Sequence, residues 1–96
     1  MERHCLKLMW APEALQDVED GVAYIAIDSI AAAIAVEDRI IAAAESLVDL
    51  PHKGRARTGG RRELVVASTS FRLIYRLEDR AVVVVRVWHM SRRPLA

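Results

Sequence analysis

The segment Phe71-Arg72-Leu73-Ile74-Tyr75-Arg76-Leu77 and the run from Ala81 to Arg93 both alternate with a period of two, which predicts a pair of antiparallel strands. If Glu78-Asp79-Arg80 closes the hairpin, Arg72 lies near Arg86, Ile74 near Val84 and Arg76 near Val82. Arginines then share one face. The other carries Phe71, Leu73, Tyr75, Val83, Val85 and Val87 for packing against helices. Arg62 to Ala67 predicts a preceding strand, with Ser68-Thr69-Ser70 as the turn between them. Near the start, Cys5 to Trp10 predicts a short strand with Leu6, Leu8 and Trp10 on one face and Lys7 on the other.

Between these strands the period lengthens to that of a helix. Pro12 suits a first helical turn, because its fixed φ fits and its missing N–H is not needed there. Glu13, Asp17, Glu19 and Asp20 favour the N-terminal half of that helix, and Leu15, Val18, Val22 and Ile25 recur at core-facing spacing. Gly21 in its interior implies close packing against a neighbour. Asp28-Ser29 offers an N-cap for a second helix from Ile30 to Leu50, which Pro51 ends. Its apolar arc holds Ile30, Ala33, Ile34, Ile40, Ile41, Ala44, Leu47 and Val48, and the alanines around it allow an antiparallel helix hairpin. Glu37 interrupts the arc, so it either pairs with an arginine from the second half or marks an edge left open for a partner. His52 to Gly60 reads as a basic, solvated linker; its glycines lack Walker spacing. The predicted class is α+β: a strand, an antiparallel helix hairpin, then a three-stranded antiparallel meander, in one domain over residues 1–96.

Composition adds a core of sufficient size, since 53% of the 96 residues are hydrophobic and mean hydropathy is +0.14. No apolar run approaches the roughly 20 residues of a membrane span, and the start of the chain lacks a signal-peptide pattern. Cys5 is the only cysteine, which excludes an intrachain disulfide and fits a reducing cytoplasm. Charge is the more informative quantity. Through Pro51 there are three basic residues against ten acidic ones, a net of −7, whereas from His52 onward eleven basic residues face three acidic ones, a net of +8. The second half is therefore a candidate surface for a polyanion or an acidic protein, unless the two halves neutralise each other in the fold.

Arg72 and Arg86, side by side, need an anion between them. Glu63, Glu37 or Asp79 could supply it, or Arg62, Arg72, Arg86 and Arg92 could form a shallow solvent-facing anion site. His89 is a candidate general acid or base, because an imidazole in general can gain or lose a proton near neutrality, or it serves in packing at a strand end. Trp88 could stack on a base or cover a partner's side chain. His4 and His52 give no metal spacing, and no nucleophile or dinucleotide context is present, so neither metal nor cofactor is implied.

Several motifs together resemble the RelE/ParE superfamily of toxins from type II toxin–antitoxin modules. They run in the family's order: Trp10-Ala11-Pro12-Glu13-Ala14, Asp17-Val18, Tyr24-Ile25-Ala26, Arg39-Ile40, Leu50-Pro51 and Gly54-Arg55. Arg62-Glu63-Leu64, Phe71 to Arg76, Arg86-Val87, His89 and Arg92-Arg93 complete the set. Gly21 stands where the family usually has a large apolar residue and Trp88 where it has an aliphatic one. The resemblance implies a cytoplasmic, growth-arresting toxin, of the kind associated with plasmid stabilisation, held in a tight hetero-oligomer by a cognate antitoxin. For the antitoxin it suggests Leu15, Val22, Ile34, Glu37 and Ile41. The signatures are nearer the ParE branch, which poisons DNA gyrase by binding, and Arg62, Arg72, Arg76, Arg86, Trp88, His89, Arg92 and Arg93 are then the target-binding set. The other branch cleaves messenger RNA on the ribosome; Arg72, Arg92 and His89 would be its catalytic group here.

Overall fold

The computed structural model describes residues 6–90. Strand β1 (Lys7–Trp10) leads into helices α1 (Pro12–Ala26) and α2 (Ile30–Asp49). After them come a two-residue strand β2 (Arg55–Ala56), then β3 (Arg61–Val65), β4 (Phe71–Glu78) and β5 (Ala81–His89). One sheet holds all five strands in the order β1-β5-β4-β3-β2. The meander β3-β4-β5 is antiparallel, as expected, while β1 joins it in parallel beside β5 and pairs Lys7 with Ala81 and Trp10 with Val84. The linker reading of residues 52–60 needs correction, because Arg55 and Ala56 pair with Glu63 and Arg62.

The local signals act as their chemistry requires. Pro12 opens α1, and Ser29 caps α2 by accepting a 3.0 Å hydrogen bond from the Ala32 N–H. Gly21 is buried, and a Cβ there would stand 2.7 Å from the Phe71 ring, so only glycine lets α1 rest directly on β4. Ala14, Ile40, Ala44 and Leu47 face the sheet, with Val18 and Ile25 packed beside them, and Ala33 of α2 is buried as well. Burying each large aliphatic side chain contributes about 1.5–3 kcal/mol. The expected apolar arcs were too wide: Leu15, Ile30, Ile34 and Ile41 are 54%, 69%, 55% and 40% exposed.

The hairpin register differs from the one expected from simple alternation. Arg72 pairs with Trp88, Ile74 with Arg86, Tyr75 with Val84 and Arg76 with Val83. Between Ile74 and Tyr75 the register shifts, leaving Val85 as an extra residue in β5, a β-bulge. The bulge exchanges the faces of β5. Val82, Val84 and Val87 join Phe71, Leu73 and Tyr75 beneath the helices. Val83 and Val85, expected there, instead form a second small cluster with Ile74 and Ala81 on the outer face, against which Trp88 packs.

Candidate functional site

The outer face of the sheet is built around one buried carboxylate. Glu63, on β3, is 7% exposed and is the only buried charged residue among those described. Such a group requires partners, because an unpaired carboxylate out of water is costly. Arg57 donates to its Oε1 at 2.6 Å and Arg72, from β4, donates to its Oε2. Burial by itself would raise the Glu63 pKa, but the hydrogen bonds and charges of Arg72 and Arg57 outweigh it and hold the carboxyl below its ordinary value. The Arg57 guanidinium also lies 5.5 Å from the centre of the Trp88 ring, a cation–π contact. Trp88 Nε1 is itself buried without a hydrogen-bond partner among the described residues.

The remaining arginines divide between faces. Arg76 pairs with Glu78 at 2.5 Å and lies opposite Arg61. Arg62 pairs with Tyr75 across the strands and so belongs to the helix side, where its Nη1 donates to the carbonyls of Gly54 (2.7 Å) and His52 (3.4 Å). Arg86 is held by Asp17 of α1: its Nε donates to Oδ2 at 2.7 Å and its Nη2 to Oδ1 at 3.0 Å. The same Oδ2 accepts from the Val87 N–H at 2.9 Å. The Asp17 hydrogen bond, set against some desolvation, raises the Arg86 pKa and fixes it as a cation. Arg62, Arg72 and Arg86 therefore do not converge on one anion site. Of the carboxylates considered for neutralising Arg72 and Arg86, Glu63 serves Arg72, while Arg86 uses an aspartate from the first helix.

His89 also departs from the arginine face. It pairs with Phe71, their rings 4.5 Å apart, and its ring lies 6.2 Å from that of Tyr24 on α1. With Asp17, Asp20, Gly21, Arg86, Val87 and Trp88 it lines a cleft of about 250 Å³ at the end of β5. Arg92 and Arg93 lie outside the described residues.

Tyr75 anchors the segment after α2, a role not foreseen from sequence. Its hydroxyl donates to the Pro51 carbonyl at 2.8 Å and accepts from the Gly54 N–H at 2.9 Å. Burial pushes the phenol pKa up, against the opposing effects of the Gly54 hydrogen bond and the Arg62 charge. A Cβ on Gly54 would meet the Tyr75 hydroxyl at 2.6 Å, so the family-like Gly54-Arg55 motif is a packing requirement that delivers Arg55 and Arg57 to the outer face.

On the opposite side, Leu15, Val22, Glu37 and Ile41 line one groove of about 510 Å³ with Leu8, Trp10, Val18, Glu19 and Glu45. Ile34 is exposed but is not among its lining residues. No described residue forms an ion pair with Glu37, which sits at the open groove rather than against an arginine. Among the described residues no cluster of three or more His, Cys, Asp or Glu is placed to hold a metal ion, and no helix is long and apolar enough to cross a membrane.

Comparison with known proteins agrees with this architecture. A solved structure described as a chromosomal ParDE TA system from P. aeruginosa contains a chain 20% identical to this one. It superposes with a TM-score of 0.78, covering 91% of this chain and 98% of that one, a likeness of fold. Among curated proteins none matches. The sequence itself matches, over residues 8–94, the family described as the ParE toxin of the type II toxin–antitoxin system parDE. With nearly the whole chain matched, this protein belongs to the ParE toxin family.

Proposed function

We propose that the protein is a toxin that arrests growth in the cytoplasm by binding DNA gyrase, without catalysis, and that a cognate antitoxin neutralises it. The observation that supports binding over RNA cleavage is the separation of Arg72 from His89. A ribonucleolytic centre needs a base for the 2′-hydroxyl, cations for the phosphate and an acid for the leaving oxygen, all within reach of one scissile bond. Here Arg72 is tied to Glu63 on the outer face, while His89 packs against Phe71 on the helix side. The arginine-rich outer face and the segment after it are then the docking surface. The helix groove, with apolar Leu15, Val22 and Ile41 between Glu19, Glu37 and Glu45, suits an amphipathic antitoxin segment that carries basic residues.

The test combines tightly controlled expression with two readouts. Purified toxin is expected to block gyrase supercoiling of a relaxed plasmid while cellular transcripts remain intact, and His89→Ala is expected to leave that block in place. Rapid message cleavage that requires His89, with normal supercoiling, would overturn the proposal in favour of the ribonuclease reading.

A further inference from the structure

The outer sheet face carries more positive charge than its ion pairs neutralise. Arg61 and Arg76 are direct cross-strand partners, an arrangement of like charges that is unfavourable unless an anion joins them. Glu78 reaches Arg76, but no described ion pair reaches Arg61 or Arg55, and both are exposed. Further along the strands Glu63 clamps Arg57 and Arg72 through one nitrogen each, and their side chains remain 39% and 34% exposed. A guanidinium has more N–H donors than one such contact uses. Each clamped arginine can thus bind a second oxyanion with its own motion already restricted.

The central apolar cluster of this face, Ile74, Val83 and Val85, is only 2–7% exposed, and its exposed apolar residues, Met9 on the edge strand β1 and Val65 at the end of β3, stand singly rather than as a patch. A partner held there would be held by charge spread across three strands rather than by side chains inserted into pockets. We infer that the face binds the phosphodiester backbone of a polynucleotide without sequence preference, with Arg55, Arg57, Arg61 and Arg72 as the phosphate contacts. This binding stands apart from the target proposed above, because it needs no other protein.

Fluorescence anisotropy of short labelled oligonucleotides with the purified toxin alone tests it. Single-stranded DNA and RNA are expected to bind alike, with Kd in the range of about 10⁻⁴ to 10⁻⁶ M and steep weakening between about 50 and 200 mM salt. The double variant Arg55→Ala/Arg61→Ala breaks no described ion pair; it should lower the salt slope by about two phosphate contacts. Arg39→Ala, the same kind of charge loss on exposed α2, should leave binding unchanged. Absence of salt-dependent binding, an equal effect of Arg39→Ala, a strong preference for one sugar, or equal competition by poly-glutamate would each overturn the inference. Poly-glutamate competition would mark the face as a dock for acidic protein instead. An unmutated toxin that inhibits supercoiling but binds no oligonucleotide would sink this inference alone.

Discussion

The two faces of the sheet bury their residues by different means. Beneath the helices, Phe71, Leu73, Tyr75, Val82, Val84 and Val87 meet Ile40, Ala44 and Leu47 in non-directional apolar contact. On the outer face a small cluster of Ile74, Ala81, Val83 and Val85 sits beside a carboxylate gripped by two arginines. The first face tolerates exchange of one apolar side chain for another of like volume, but neither a buried polar group nor a change of volume. The second depends on which groups are ionised. One face is therefore to be broken by a cavity and the other by a proton.

The largest effect is expected on the helix side. Leu47→Ala, at a fully buried position, should cost about 2–5 kcal/mol in denaturant unfolding, through lost transfer energy and the cavity left behind. A cost below about 1 kcal/mol would mean that α2 is not seated on the sheet as described. On the outer face, Glu63→Gln should cost about 1 kcal/mol near neutral pH, a figure kept small because both arginines are partly solvent-screened. Its pH signature is more diagnostic. The folded carboxyl lies below its ordinary value of 4.5, so its contribution is fully present above that pH and is lost as pH falls through the folded pKa. Glu63→Gln should flatten this acid limb of stability against pH, and an unchanged limb would remove Glu63 from its assigned role. The smallest effect concerns the turn between β4 and β5. Arg80 has φ of 64°. Arg80→Gly should therefore stabilise by about 0.5 kcal/mol, the relief of left-handed backbone less the greater chain entropy of glycine, read as a rise in Tm.

The comparison also explains what the sequence disclosed. Helix ends were legible because Pro12, Ser29 and Pro51 each carry a local physical constraint, and Gly21 announced a close approach that Phe71 makes. The bulge was hidden for the opposite reason. In Val82-Val83-Val84-Val85 both faces carry the same residue, so a one-residue slip leaves no trace in the alternation. Two one-residue departures add up at Arg72: Glu78 pairs with Ala81, so the turn is Asp79-Arg80 and not Glu78-Asp79-Arg80, and the bulge adds the second, which sets Arg72 opposite Trp88 instead of Arg86. Asp17 was readable as a helix-start acid, but nothing local points to a partner 69 residues away. Four of the five residues suggested for the antitoxin do share a groove, since the exposed rim of an amphipathic helix shares the period of its core.

The parallel pairing of β1 with β5 has a consequence for the order of events in synthesis. Lys7 and Trp10 wait for Ala81 and Val84, so the first strand to be made can close only on the last of those described. Contacts of such sequence separation form late and slowly. Until the polypeptide through Val84 is available, Leu8 and Trp10 have no sheet to join, and the groove lacks the wall that β1 supplies. A nascent chain at that stage would offer a groove-binding partner an unfinished surface, and the finished groove would be presented only by chains whose sheet has closed.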